Sequence, residues 1–337
     1  MKSVLRQLLN SGVAMIAPAL WHLRRRSLLV IMYHRVLPAG HPDRLTEQPG
    51  MYVSPQTLAM HLDILSQRFT LMHLDEWLQA SVRGETVPER ACAITFDDGW
   101  RDNYEFAFPE LKRAAAPATI FLVSDLVGSQ YGFWPNALAR HLQGSAMVGT
   151  AAMPTWLNNL VTDVAGSPHA GRLDAGRIDR IIVACKEGHS DEEMLDIVRG
   201  LGEAGSESSA VEARDLMDWR ELRELADSGL VRFGSHTRRH TRLSRVASAE
   251  VLRDEVIGSR EEIARQLGRS PALFCYPNGD YSGAALEMVR SGYIGAVTTE
   301  RGWHTRGADP FLIPRIGVHE DISNSPAAFR ARLSGWI

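Results

Sequence analysis

Residues 91–100 read ACAITFDDGW, and this stretch indicates the architecture of the chain. Five largely apolar positions, residues 91–94 and Phe96, run directly into the adjacent carboxylates of Asp97 and Asp98. A short apolar run of this kind is typical of a strand that is covered on both faces in a parallel sheet. In barrels and open α/β sheets, the loops at the carboxyl ends of such strands bind ligands. The stretch therefore predicts a buried parallel strand with a functional edge at the two aspartates.

Six further apolar, β-branched runs share this pattern and alternate with longer helix-patterned segments. The alternation predicts βα units around a parallel sheet, which places the chain in the α/β class. The seven predicted strands are residues 27–33, 91–96, 117–123, 230–235, 272–276, 294–299 and 311–318. A chain of 337 residues suits two ordinary domains, but α/β barrels often exceed about 250 residues, so length does not decide the number of domains.

Three of the intervening helices have recognisable start signals. Ser54 followed by Pro55 predicts an N-cap and a first helical residue. Either Asp215 or Asp218 is expected to open the helix that follows, and Ser248 is expected to cap another.

Two segments lie outside the βα rhythm. Residues 128–214 are dominated by turn formers and small residues, and we interpret them as an insertion of a few helices into a barrel of residues 27–337. Residues 1–26 are predicted as an amphipathic helix that ends in three arginines, 24–26, a pattern typical of a helix lying in a membrane interface against anionic lipid. The alternatives are a helix packed on its own domain and a cleaved signal peptide.

The overall composition disfavours several classes of protein. A net charge of −3 gives no general case for nucleic acid as a partner, because nucleic-acid binders usually carry a strongly basic face. The three cysteines are far apart and form no C-x-x-C pair, so neither a disulfide framework nor a thiolate zinc site is indicated. Any metal site must therefore use other ligands.

Two histidines extend the aspartate motif into a candidate metal site. His236 and His240 are four residues apart, just past a predicted strand, and can converge on one metal ion if the segment turns helically. Two histidines and one carboxylate form a ligand set for zinc or a related divalent ion with an open position. If Asp98 completes that set, Asp97 is free to act as a general base in the hydrolysis of an amide or ester. The simpler alternative, that the two aspartates cap the next helix, is weakened because Asp102 is placed to do so.

Three more strand ends bring polar groups to the same rim. The PNG turn at 277–279 offers backbone amides for a developing oxyanion, although a plain turn is the commoner reading. His34, after the first strand, is a candidate general acid for a leaving amine. The last strand offers Arg315, a candidate partner that would hold Asp97 ionised, and His319, a rival acid.

Together these motifs resemble those of carbohydrate esterase family 4, the polysaccharide deacetylases with the NodB-like fold. TFDDG at 95–99 resembles the first motif of the family, and SHTRRH at 235–240 resembles the second, in the same order. The resemblance extends from about residue 28 to residue 320 apart from the insertion, and it implies a distorted (β/α)7 barrel with a helical insertion.

The resemblance also implies roles for residues at matching positions. Asp97 would be the general base, and the amide of Asn278 would form part of the oxyanion site, with Tyr276 beside it against the substrate. The implied metal ligands are Asp98, His236 and His240, with Zn²⁺ the first choice among divalent ions.

Two departures from the family pattern concern the groups around the base. Many members carry an arginine near the position of Cys275, and since none is present here, Arg315 is the candidate that orients Asp97. Many members also place the acid histidine late in the chain as LxH, which IGVHE does not reproduce. A branch similar to the poly-N-acetylglucosamine deacetylases carries an early YH instead, and MYHRV matches it, which favours His34 over His319.

The function expected from the resemblance is removal of N-acetyl groups from an N-acetylhexosamine in a bacterial glycan or a lipid-linked saccharide. Trp134 in the insertion is expected to line the sugar groove, although burial in a core is the commoner role of a single tryptophan. The alternatives are an O-acetyl polysaccharide esterase and a non-catalytic glycan-binding module. We expect a cytoplasmic protein or one held peripherally at the inner membrane, with an exported form ranked below these.

Overall fold

Strands alternate with helices along most of the chain. A computed structural model describes residues 27–48, 50–129, 132–144, 153–166, 173–204 and 214–334. Its strands are β1 (Ser27–Tyr33), β2 (Arg35–Val36), β3 (Tyr52–Val53), β4 (Thr70–Leu71), β5 (Arg90–Phe96), β6 (Ala118–Leu122), β7 (Val231–Ser235), β8 (Leu273–Cys275), β9 (Gly295–Arg301), β10 (His304–Thr305) and β11 (Ile313–Gly317). The predicted helix in residues 1–26 lies outside the described residues.

The helices pack around these strands or follow one another in the insertion. They are α1 (Pro55–Ser66), α2 (Leu74–Val82), α3 (Phe108–Arg113), α4 (Trp134–Gly144), α5 (Thr155–Ala165), α6 (Ala175–Gly188), α7 (Asp191–Ala204), α8 (Trp219–Asp227), α9 (Ala249–Arg253), α10 (Ser259–Leu267), α11 (Gly283–Gly292), α12 (Glu320–Ser323) and α13 (Pro326–Leu333). Two π-helical turns, Asn103–Ala107 and Asp254–Gly258, lead into α3 and α10. Short 3₁₀ turns occupy Pro42–Leu45, Ser124–Leu126, Leu243–Arg245 and Pro277–Gly279.

Seven parallel strands close into a barrel. Their order is β1-β11-β9-β8-β7-β6-β5, and β5 pairs back onto β1. These are the seven strands predicted from the sequence, so the predicted parallel barrel is confirmed. The β1–β5 pair runs in register from Ser27 opposite Arg90 to Tyr33 opposite Phe96, so the residues that follow both strands emerge at the same rim.

Four two-residue strands were not predicted. β4 extends the pairing at the start of β5, and β10 pairs antiparallel with the start of β1. β2 and β3 form a separate parallel pair just beyond the rim. Runs of two residues are too short to show a period of alternation, so the sequence contains no pattern that would reveal them.

The barrel interior is apolar and closed at the amino ends of the strands. Side chains of β1, β5, β8 and β9 form one buried cluster with Leu74, Trp77 and Leu78 of α2. Leu78 packs so closely on the first residue of β9 that a Cβ on Gly295 would lie 2.6 Å from its Cδ1. The opposite end, where the strands finish, is left for polar side chains.

The predicted helix starts agree with the structure in three cases and differ in one. The side chain of Ser54 accepts the N–H of Thr57, and that of Ser248 accepts the N–H of Val251. Asp218, rather than Asp215, opens α8 and forms a reciprocal capping box with Glu221. The expectation that Asp102 caps the next helix is wrong, because its carboxylate makes no capping bond and instead accepts hydrogen bonds from Arg35 and Val36.

The chain forms two compact units. The first contains the barrel, with Gly50–Ser129 and Asp215–Ile337 as its larger pieces, and the second contains Gln130–Arg214 together with Gly40–Pro49. The second unit holds α4–α7 around a buried apolar cluster of its own. No helix in the described part of the chain combines the length and the hydropathy that crossing a bilayer requires.

Candidate active site

The two aspartates leave β5 on a left-handed turn. Asp98 has a φ of 76° and Gly99 a φ of 84°. Only glycine adopts this region at no cost, so Asp98 is held there by its surroundings. A side chain at position 99 would also meet Leu122, whose Cδ2 would lie 3.0 Å from the added Cβ. The turn sends two neighbouring carboxylates to different partners, and both are buried, with 2% of Asp97 and 6% of Asp98 exposed.

Asp97 is bound by the guanidinium group of Arg315. The two terminal nitrogens of Arg315 donate to Oδ1 and Oδ2 of Asp97, each at 2.7 Å. The remaining donors of Arg315 are also engaged, since Nε donates to the carbonyl of Thr298 and Nη1 also reaches the hydroxyl of Thr95. Burial alone would raise the pKa of Asp97, but the charge and hydrogen bonds of Arg315 outweigh it and hold this pKa below its ordinary value. Asp97 is therefore an ionised carboxylate in a fixed orientation.

Asp98 faces the two histidines. Its Oδ1 lies 3.5 Å from Nε2 of His236 and 3.5 Å from Nε2 of His240. Two ligand atoms bound to one tetrahedral zinc ion at about 2.0–2.1 Å lie about 3.3 Å apart, so the three groups have the spacing of a ligand set. Burial would raise the pKa of Asp98, but the neighbouring imidazoles of His236 and His240 lower it well below its ordinary value.

The histidines converge without the helical turn that their spacing suggested. Residues 236–240 lie in a loop after β7, in which Thr237 has a φ of 65° and His240 a φ of 64°. Ser124 and Ser259 donate to the carbonyl of Thr237, which holds this unfavourable backbone in place. The two imidazoles therefore converge because Thr237 and His240 adopt left-handed backbone conformations.

Glu255 fixes the middle of the same loop. It lies in the π-helical turn Asp254–Gly258 and is 1% exposed. Its Oε2 accepts the backbone N–H groups of Arg238 at 2.9 Å and Arg239 at 3.1 Å, and its Oε1 accepts from the guanidinium of Arg239. Sequence reasoning missed this residue, and its only signal is an acidic side chain at an apolar position of a helix-patterned segment.

The tautomer of His236 is set by a neighbouring strand. Its Nδ1 is 2.8 Å from the carbonyl oxygen of Cys275, an acceptor, so Nδ1 carries the proton and donates it. Nε2 then lies on the side of Asp98 and His240, where it can offer its lone pair to a bound cation. Such a hydrogen bond is the usual way in which a metal-binding histidine is oriented.

The set formed by Asp98, His236 and His240 fits a divalent metal ion. One donor atom from each of the three lies within 4.8 Å of the others, and all three donors are types that bind zinc. Asp97, His236 and Cys275 also lie within this distance of one another. There the guanidinium of Arg315 already contacts both Asp97 and Cys275, and burial raises the pKa of the Cys275 thiol, so this second group does not suit a cation.

His34 lies at the rim beside Asp97. Its Nε2 is 3.8 Å from Oδ2 of Asp97, and its side chain is 22% exposed. His240 is exposed to a similar extent, 25%, whereas Asp97, Asp98 and His236 are almost entirely covered. His319 is placed elsewhere, with Nδ1 3.5 Å from Asp321. Of the two candidate acids, the structure brings only His34 to the aspartates.

The remaining predicted residues are more dispersed. Asn278 is exposed in a left-handed turn with a φ of 56°, and its carbonyl accepts from Thr299. The ring of Tyr276 is buried outside the barrel among Phe274, Tyr281 and the helices packed there, away from the aspartates. Trp134 belongs to the second unit, where it is buried and donates its indole N–H to Asp191.

Trp100 is a further residue that sequence reasoning did not consider. Its indole N–H donates to Oδ2 of Asp98 at 2.9 Å, and its ring is buried. It directly follows FDDG at 96–99, and a large aromatic side chain at that position was the available signal.

In comparison with known proteins, both motifs lie inside a region that matches a protein family. A family model described as polysaccharide deacetylase matches residues 84–165 and 188–294, which together are more than half of the chain. YxkH of Bacillus subtilis (strain 168) is 44% identical over 43 residues, which make up 13% of this chain and 15% of YxkH.

Two solved structures share the fold along most of the chain. Deacetylase PplD of Streptococcus pyogenes, solved in complex with acetate, has a TM-score of 0.58 at 18% identity over 89% of this chain and 96% of its own. A de-N-acetylase from Aggregatibacter actinomycetemcomitans has a TM-score of 0.53 at 17% identity over 87% of this chain and 95% of its own. At these identities the likeness establishes the fold, and the predicted NodB-like barrel is confirmed.

Proposed function

Because the chain belongs to the polysaccharide deacetylase family, we propose that it is a metal-dependent hydrolase that releases acetate from an N-acetylhexosamine. The substrate is a bacterial glycan or a lipid-linked saccharide. The observation that carries the proposal is that the two adjacent carboxylates have different partners. Asp98 faces two histidines with the spacing of metal ligands, and Asp97 is held ionised beside them by Arg315.

The proposed metal ligands are Asp98, His236 and His240, with zinc as the ion. Bound there, a divalent cation supplies Lewis-acid activation of the substrate carbonyl and of water. The protein supplies the rest of the chemistry.

Asp97 is the proposed general base. Its bidentate pairing with Arg315 leaves one lone pair on each oxygen, so it can accept the proton of the attacking water without leaving its position. Water adds to the carbonyl carbon, and the carbonyl oxygen gains negative charge. The N–H of Asn278, on the turn after β8, is the proposed donor to that oxygen.

His34 is the proposed general acid. The amine of the sugar is a poor leaving group unless it receives a proton as the carbon–nitrogen bond breaks. His34 is partly exposed at the rim and close to Asp97, so a proton taken up by Asp97 has a short route to it. The products are acetate and the free amino sugar, and one water molecule is consumed.

Removal of an N-acetyl group is preferred to removal of an O-acetyl group because an acid stands beside the base. The structurally similar enzyme of A. actinomycetemcomitans is itself described as a de-N-acetylase. An ester releases an alkoxide that needs less help from an acid. His34→Gln should therefore reduce acetate release from an N-acetylated substrate by about 10²-fold or more, and release from an acetate ester by much less. Equal losses on both substrates would favour the esterase.

The direct test is acetate release from a panel of N-acetylated oligosaccharides and lipid-linked sugars. The metal content of each purified protein is measured alongside. We expect Asp98→Ala to lose both metal and activity, and Asp97→Asn to keep the metal and lose activity. A metal-free, active wild type or an active Asp97→Asn protein would contradict the mechanism. Glycan binding without acetate release across the panel would favour a binding module.

A further inference from the structure

The two oxygens of Asp98 have separate partners. Oδ1 lies 3.5 Å from Nε2 of His236 and of His240, on the side of the proposed metal. Oδ2 accepts the indole N–H of Trp100 at 2.9 Å. Trp100 is 1% exposed, so water does not compete for this bond. The carboxylate therefore cannot rotate to offer both oxygens to one cation without breaking a buried hydrogen bond, which is costly.

Trp100 is itself held from its opposite side. The guanidinium carbon of Arg35 lies 4.2 Å from the centroid of the indole ring. Arg35 is fixed by a 2.8 Å bond from Nε to Oδ2 of Asp102, and Oδ1 of Asp102 accepts the N–H of Val36. A cation against the face of an indole ring is attracted by its π electrons, and it polarises the ring so that the N–H becomes a stronger donor. This arrangement also explains why Asp102 does not cap the helix that follows.

We propose that Trp100 is a positioning residue of the metal site, which holds Asp98 as a ligand through Oδ1 alone. The inference rests on the proposed function, because it concerns the same ligand set. One-oxygen ligation keeps a coordination position open for substrate or water, which a bidentate aspartate would occupy.

The test compares the affinity of the full chain for zinc in the wild type and Trp100→Phe. Phenylalanine keeps an aromatic ring in the site and removes the N–H donor together with part of the ring volume. Zn²⁺ affinity is measured by competition with a chromophoric chelator, and visible absorption of the Co²⁺-loaded protein reports coordination geometry. We expect a 10- to 100-fold loss of Zn²⁺ affinity, the range for partners that orient a metal ligand, and an altered Co²⁺ spectrum.

Trp303→Phe is the matched control. Trp303 is also buried in the barrel unit, and its indole N–H donates at 3.0 Å to the carbonyl of Leu333. It directly precedes β10, which pairs with the first residues of β1, at the opposite end of that strand from the rim that carries the aspartates. This variant loses a comparable hydrogen bond and should keep wild-type Zn²⁺ affinity and Co²⁺ spectrum. A merely structural role for Trp100 would make both variants alike.

A second variant keeps the proposal testable if Trp100→Phe does not fold. Arg35→Met removes the cation from the indole face and leaves the N–H, and we expect a smaller, 3- to 10-fold loss of Zn²⁺ affinity. Wild-type affinity in whichever of these variants folds would overturn the proposal. A wild type that binds no divalent metal would instead overturn the proposed metal site itself, so the two failures are distinguishable.

Discussion

Arg315 and Asp97 form an ion pair with almost no access to water. Their side chains are 0% and 3% exposed, and two parallel hydrogen bonds join them. Removing two charges from water is costly, and the bidentate geometry offsets that cost only while both partners are present. Either residue alone would therefore lower the stability of the fold, because its charge would be buried without a partner.

A double-mutant cycle tests this interdependence. Arg315→Met leaves a buried carboxylate without its counter-charge and should lower the free energy of unfolding at pH 7 by about 3–5 kcal/mol. Asp97→Asn should also lower the free energy of unfolding, because it leaves the buried guanidinium of Arg315 without a counter-charge. The double variant should lose clearly less than the sum of the two, as measured by urea unfolding. Strict additivity of the two losses would contradict the coupling. Arg265→Met is the control: it breaks an exposed pair with Glu262 and should change the free energy of unfolding little.

Among elements, α1 is tied to the barrel by a buried histidine. The hydroxyl of Tyr33 in β1 donates to Nδ1 of His61 at 3.0 Å, and Nε2 of His61 donates to the carbonyl of Ser323 in α12 at 2.7 Å. The imidazole also stacks on Phe329 of α13, with 3.7 Å between ring centroids. One neutral side chain thus joins four elements, and Tyr33 precedes the proposed acid His34 by one residue.

This tie predicts a pH dependence of stability. Burial lowers the pKa of His61 from 6.5 to about 4, despite the opposing bond to Ser323. Between about pH 6.5 and pH 4, His61 is protonated in the unfolded chain but neutral in the folded chain. The contribution of His61 to stability is therefore complete above about pH 6.5 and is lost progressively as the pH falls toward 4. A difference of about 2.5 pKa units corresponds to roughly 3 kcal/mol.

The measurement is urea unfolding at several pH values between 4 and 7. His61→Gln lacks the titrating ring and should show a shallower slope of stability against pH in this window. An unchanged slope in His61→Gln would show that other groups cause the dependence.

The loop that carries the two candidate ligand histidines shows, at the scale of elements, what could not be predicted from the sequence. The spacing of His236 and His240 correctly suggested convergence but predicted a helical turn. Thr237 is β-branched and would not be expected at a positive φ, and its conformation is held by Ser259 and by the loop after β6, which are distant in sequence. Long-range contacts of this kind leave no local pattern.

At the scale of the whole molecule, the barrel was predictable because its seven strands lie in largely apolar or β-branched runs of five to eight residues, most of which are separated by helix-patterned segments. The rim was partly predictable for the same reason, since parallel strands end together. Tyr276 shows the limit of that argument. It follows β8 directly, yet its ring packs outside the barrel, because alternate residues of a strand face opposite sides and the sequence does not say which side is which.

The amino-terminal segment carries a separate prediction about the whole chain. Residues 1–26 lie outside the described residues, and their sequence predicts a helix in a membrane interface. We propose on that basis that the chain binds an anionic membrane surface peripherally through this segment. Three arginines at about 1 kcal/mol each should strengthen binding to anionic vesicles by about 10²-fold, and salt should weaken it.

Co-sedimentation with vesicles of phosphatidylglycerol and phosphatidylcholine measures this binding. Replacing arginines 24–26 by glutamine should reduce the preference for anionic over neutral vesicles by about 10²-fold, while acetate release from a soluble oligosaccharide is unchanged. Equal sedimentation of the wild type with neutral and anionic vesicles would refute the electrostatic contribution.

The bond between Asp97 and Arg315 also has a consequence for the order of events during synthesis. It joins residues that are 218 positions apart, and β11, which carries Arg315, is the strand inserted between β1 and β9 to close the ring. A nascent chain that has emerged only as far as β9 already holds the aspartate but lacks its counter-charge. Such long-range closure comes late in folding. The pairing of β11 with β1 and β9 therefore completes the barrel and brings Arg315 to the proposed base in the same step.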